Sequence, residues 1–217
     1  KLLKSGRGST RTWLKFQDGN PSELTSYLGL SDVLLTFSKD AEPLQVKTLS
    51  TRLSETLDQG ELHAKAENLN FELSDGTTAQ NLLLQTIVHM DSTPDAATHR
   101  SGFSVAQLDV ETLKQLLPSV PFPKAAADLI RMHEASGTIS NLEVSWLGSP
   151  GNTQDWRIKT YFSGLTVAHN SPEDAKLIFS GFENLSGSLE VANKHGHVSF
   201  ATKKGAVSIP GVFETPR

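Results

Sequence analysis

The sequence predicts a mainly β chain of antiparallel strands, interrupted once by a pair of helices. Three observations predict it. Apolar and polar residues alternate with a period of two over most of the 217 residues, as they do along a strand with one dry and one wet face. The turn signals between these runs lie close together, which suits antiparallel neighbours and leaves no room for the crossovers of parallel strands. One stretch, residues 108–137, changes to helical spacing.

Taken in order, Asp18-Gly19-Asn20-Pro21 marks the first turn and Asp75-Gly76 a second. Between them the alternation slips by one residue in two places. In LQVKTLSTRL the apolar set moves from Leu44 and Val46 to Leu49 and Leu53, and in GELHAKAENLNFELSDG from Leu62, Ala64 and Ala66 to Leu69, Phe71 and Leu73, with the change near Asn68. A slip of one residue turns every later side chain to the other face, so each place needs a β-bulge or a break. Neither carries Gly or Pro, which favours bulges. Leu82, Leu84, Thr86, Val88 and Met90 form the next run.

The helical stretch reads LDVETLKQLLPSVPFPKAAADLIRMHEASG. Asp109 is a suitable N-cap, with Glu111 in the positive first turn. Val110, Leu113, Leu116 and Leu117 make one apolar face, and Pro118 stops it. Pro123 suits the first position of a second helix, Ala126, Leu129 and Ile130 give its face, and Gly137 suits its C-cap. Strands then resume. Leu142, Val144 and Trp146 alternate with Glu143 and Ser145, and Trp156, Ile158, Thr160 and Phe162 with Arg157, Lys159 and Tyr161. Leu189 and Val191, Val198 and Phe200, and Val207 and Ile209 continue the rhythm between turns at Gly148–Asn152, Lys194–Gly196 and Lys204-Gly205. The organisation is therefore strands over 1–107, a helical pair over 108–137, and strands over 138–217, in one unit that reads as a piece of a longer protein.

Composition narrows the chemistry. There is no cysteine, so disulfides, thiolate metal sites and cysteine nucleophiles are excluded. A net charge of −4 gives no basic surface for nucleic acid. The apolar runs fall well short of the ~20 residues of a membrane helix. No Gly-x-Ser-x-Gly elbow occurs, and GRGST at 6–10 lacks the lysine and spacing of a phosphate loop. Glu173-Asp174 and Lys203-Lys204 read as turn residues. His195-Gly196-His197 poses the sharpest choice. On one strand the two imidazoles would share a face and could hold a metal. With Gly196 in the turn between Val191 and Val198 they would not, and this second reading is preferred. No catalytic residue, metal or cofactor is expected. The aromatic residues Trp146, Trp156, Phe162 and Phe200 fit two arrangements equally: a sandwich core, or an apolar surface held open for a lipid-like ligand.

GFENLSGSLEVANKHGHVSFATKKGAVSIPGVFETP, residues 181–216, resembles a pattern of the YhdP branch of the AsmA-like bacterial envelope proteins. Its carriers are Phe182, Asn184, Leu185, Ser186 and Gly187, then Gly196, Val198 and Phe200, then Pro210, Val212, Phe213 and Pro216. The helical stretch, SGTISNLEVSWLG and WRIKTYFSGLTVA are similar to the segments that precede this pattern in the family. The resemblance implies a curled, twisted antiparallel sheet forming an open, taco-like apolar groove. It also implies a function, the carriage of phospholipid between inner and outer membranes across the periplasm, in a protein anchored to the inner membrane by a segment absent from this chain. Leu142, Val144, Trp146, Trp156, Ile158, Phe162, Leu189, Val191, Val198, Phe200, Val207 and Ile209 would line the groove. The other reading is a non-catalytic envelope scaffold with a closed β-sandwich core and a partner-binding surface.

Overall fold

The structure is a computed structural model. It describes residues 3–37, 41–58, 61–89, 100–120, 122, 127, 130–131, 134–147, 155–168, 181–193 and 195–208. The strands are β1 (Leu3–Gln17), β2 (Asn20–Leu35), β3 (Leu44–Asp58), β4 (Glu61–Leu73), β5 (Thr78–His89) and β6 (Arg100–Asp109). Helix α1 (Val110–Leu116) follows, then β7 (Glu134–Leu147), β8 (Asp155–Ala168), β9 (Gly181–Ala192), β10 (His195–Phe200) and β11 (Ala206–Ser208). They form one antiparallel sheet in chain order from β1 to β10, with β11 placed beside β10 on the free edge of β9. The sheet does not close, because β1 and β10 remain its two edges.

Local chemistry sets the strand ends. Asp18 and Gly19 both have positive φ, at 52° and 80°, which is what a two-residue hairpin with the native strand twist requires. At the β4–β5 turn Gly76 has φ 90°, and the Thr77 N–H donates to Asp75 Oδ1 at 2.9 Å. Both slips of the alternation are bulges inside unbroken strands. The β3–β4 register shifts at Val46/Thr48 and Ser50/Arg52, and the β4–β5 register shifts on either side of Leu69. Asn68, at φ 49°, turns the chain there. The device recurs along the sheet: Asp32, Asn81 and Asn141 have φ 53°, 55° and 49°, and Asn184 has 52°. Asn and Asp tolerate the left-handed region better than other residues with a Cβ. Each such bulge bends the strand and increases its twist, which curls the sheet.

Helix α1 lies against the apolar face of the sheet. Val110, Leu113 and Leu117 are buried with Val105 and Leu108 of β6, Ile139, Leu142, Val144 and Trp146 of β7, and Ile158 of β8. Leu116 packs against this cluster and also against a second one, Val33, Val46 and Leu73 of β2, β3 and β4. One side chain thus touches both halves of the sheet, and the Glu42 N–H donates to the Pro118 carbonyl at 3.1 Å.

The helical stretch departs from expectation in three ways. Its strands encroach: β6 runs to Asp109 and β7 begins at Glu134. Gly137 is consequently a strand residue at φ 131° instead of a helix C-cap, and a Cβ there would lie 2.9 Å from the Gly164 carbonyl oxygen. Asp109 stands at the N-cap but makes no capping hydrogen bond; its carboxylate accepts one from the Thr138 hydroxyl at 3.4 Å. Of the second helix, Ala127, Ile130 and Arg131 are helical, while Pro123, Ala126 and Leu129 lie outside the described residues. One short helix is therefore established.

Candidate functional site

Strand alternation and register place ten of the twelve expected lining residues on a single face. Leu142, Val144 and Trp146 point with Val105 and Phe103 on one side and with Ile158 and Trp156 on the other. The row continues from Ile158 to Val191 of β9 and Gly196 of β10, and from Thr160 to Leu189 and Val198. Phe162, Gly187 and Phe200 form a third row. There the two phenyl rings meet edge to face, 6.2 Å apart, over a glycine that leaves them room. Val207 pairs with Phe182 in β11, and Ile209 lies outside the described residues.

These residues share a face but not an environment. Leu142, Val144, Trp146, Ile158 and Phe162 are buried, the first four in the cluster that α1 covers. Trp156, Leu189 and Val191 are half-buried. Val198 and Phe200, toward the edge, are 44% and 58% exposed. The Trp146 indole N–H is buried and has no hydrogen-bond partner among the described residues. The same face extends through strands that were not counted as lining: Leu14 of β1, Leu24 and Leu28 of β2, Leu53 and Leu57 of β3, Leu62 and Ala64 of β4, and Leu84 of β5. Away from α1 it stays accessible, with Leu14 45% and Leu57 56% exposed. The alternation of these strands was legible. What went unused is that a meander carries the same face from strand to strand.

The opposite face is mostly polar, with Trp13, Tyr27, Ile87 and Tyr161 exposed on it. Lys15 pairs with Glu23, Lys47 with Glu72, Arg52 and Lys65 with Glu67, and Arg157 with Glu190. Except for Lys65–Glu67, which lies along β4, each pair joins neighbouring strands. The hydrogen bond from Lys15 holds the Glu23 carboxyl below the ordinary carboxylate value, and that from Lys65 does the same for Glu67. The hydrogen bond to Glu72 raises Lys47 above the ordinary lysine value. A hollow of about 600 Å³ is lined by Ser54, Thr56 and Lys65 of this face together with Ala64, Thr86 and Phe103 of the other.

The histidine pair is placed differently from expectation. His195 opens β10, and Gly196 pairs with Val191 instead of turning. The corner lies earlier, at Asn193, whose φ is 45°, because Asn takes a left-handed turn position readily. His195 and His197 therefore do share the polar face. Among the described residues no group of three or more His, Asp or Glu side chains is placed to hold a metal ion.

The profile of the YhdP protein family matches residues 1–217. The chain belongs to the YhdP family. Comparison with curated proteins finds no match, and neither does comparison with solved structures. The family places the chain with bacterial envelope proteins of the lipid-transport type. Among the described residues no helix is long and apolar enough to cross a membrane.

Proposed function

We propose that this YhdP-family chain is one stretch of a hydrophobic groove that carries phospholipid between the inner and outer membranes, in a periplasm-spanning protein anchored to the inner membrane. The observation that carries the reading is the uninterrupted row of mostly apolar side chains from Leu14 of β1 to Val191 of β9, accessible on the side away from α1. Burial of acyl chains is worth about 0.8 kcal/mol per CH₂. A mostly apolar lining supplies that along its length, so lipid carriage needs no catalytic group, metal or cofactor. The polar face, laced with ion pairs, stays toward water.

The scaffold reading also has an observation in its favour. Helix α1 and Phe122, Ala127 and Ile130 cover the centre of β6 to β8, so that part is core, and Leu142, Val144 and Ile158 act in packing. The lipid path is then the accessible margin, where Trp156, Val191 and Val198 stand. A photoreactive residue at Trp156 or Val198 of the full-length protein in its envelope tests this, with Arg157 and Lys159 as controls on the opposite face. Phospholipid adducts at the first pair alone are expected. No adducts at any position would leave a scaffold with a closed core.

A further inference from the structure

One row of the inner face can be followed through the register from Leu14 to Leu24, Glu55, Ala64, Thr86 and Phe103. Glu55 breaks its character. Among the described residues of β2 to β9 it is the one charged side chain on this face. Its neighbours Ser54 and Thr56 point the other way, with Lys65 and Glu23, which they face across the strands. Along β3 it is flanked on its own face by Leu53 and Leu57, and across the strands by Leu24 and Ala64. Its surroundings make it half-buried.

Among the described residues the carboxylate has no ion pair and no hydrogen bond. On the polar face Glu23, Glu67, Glu72 and Glu190 each have a cation beside them, and Glu143 and Glu183, which have none among the described residues, are exposed to water. Placing an unpaired charge against leucine costs free energy. A leucine at this position would continue the row at no such cost. The partner that offsets the cost is one the described chain does not supply. A cationic group that arrives together with apolar material on Leu24, Leu53 and Leu57, and so removes Glu55 from water, is such a partner.

We propose that Glu55 is a head-group site, selecting phospholipids whose head group carries an amine. The inference rests on the groove reading above and adds the class of lipid. An ammonium group within reach of Glu55 gains a charge-assisted hydrogen bond, while its acyl chains cover the surrounding leucines. A head group with net negative charge meets like charge there and is disfavoured. Selection of this kind lies in a difference between lipids, and the apolar lining alone cannot provide it.

The test uses the full-length protein in its envelope, with a photoreactive residue at Leu57 or Leu62. Lipids released from the adducts are identified by mass spectrometry as amine-headed or glycerol-headed phospholipid. Beside Glu55 the amine-headed share is expected to exceed its share in the surrounding membrane by about threefold, the size of a half-exposed ion pair. In Glu55→Gln it should fall to the membrane's own share with the total adduct yield unchanged, and Glu55→Asp should retain part of the enrichment. A wild-type share equal to that of the membrane, or an unchanged share in Glu55→Gln, overturns the head-group site and leaves the groove intact. Absence of lipid adducts at both positions, with Leu24 and Phe103 positions equally silent, overturns the groove and the head-group site together.

Discussion

Asn68, Asn81, Asn141 and Asn184 hold a left-handed backbone in the middle of strands. That conformation costs a residue with a Cβ roughly 1–2 kcal/mol, and Asn pays least because its short amide bonds locally. At Asn70 the carboxamide donates to the Asn68 carbonyl and accepts from the Asn81 N–H, so two bulges are tied together. Asn141→Ala should lower stability by about 1 kcal/mol, and Asn141→Gly should stay near wild type; urea unfolding with both variants checks this. The slip at Asn68 was legible because apolar runs stand on both sides of it. The bulge at Asn141 was not, since Gly137, Thr138 and Ser140 leave only Ile139 to show the earlier phase. The histidine corner was misplaced for a related reason. Gly196 drew the turn, although Asn193 takes the left-handed position and Gly196 fits a strand, with the nearest atom to an added Cβ being Val191 Cγ2 at 3.5 Å. Both rings are exposed, and among the described residues neither has a bonding partner. Replacing His195 and His197 with Asn should therefore change stability by less than about 0.5 kcal/mol, as a thermal melt would read.

Among the elements, α1 has the largest effect for its length. Seven residues would make a marginal helix alone; packing holds this one. Leu113 is 4% exposed within the main cluster. Leu113→Ala should cost about 2–4 kcal/mol, and amide exchange should quicken first in β6 and β7, the strands it covers. Sequence reasoning found this helix from its apolar spacing. It missed the cap, because Thr138, the partner that takes the Asp109 carboxylate, comes from the next strand and no local pattern announces it. At the other end of the sheet, a Cβ on Gly187 would fall 1.9 Å from the Ser199 carbonyl oxygen. Gly187→Ala should detach β10 while β8 and β9 remain paired, seen as loss of amide protection confined to residues 195–200. The short phrase Leu185-Ser186-Gly187 looked like part of a family pattern; the physical reason for its glycine is the contact between two backbones.

For the whole molecule, the two faces answer to different conditions. Glu23 and Glu67 have lowered pKa values, so their stabilising effect is full above the ordinary carboxylate value and disappears as pH falls through the folded values. Lys47 is raised, so its effect is present below the ordinary lysine value and is lost as pH rises through the folded one. The sheet should thus be most stable between these limits and weaken first in acid, with the loss reduced by salt, since the pairs are exposed; chemical unfolding across pH at two salt concentrations checks both. The period of two conveyed the sheet, its antiparallel order and which residues face together. It could not convey how far the sheet closes, because a closed core and an open surface demand the same alternation. Only the placement of α1 over one part of the face separates buried Val144 from exposed Phe200.

The strand ladders are uneven. Among the described residues β5 and β6 are held by four residue pairs, Leu84–Ile87 against Gly102–Val105, while β6 and β7 share nine. A sheet bends where it is least laced. Leu116, which packs against the clusters on both sides of this short ladder, therefore adds a side-chain tie where the described backbone pairing is thinnest.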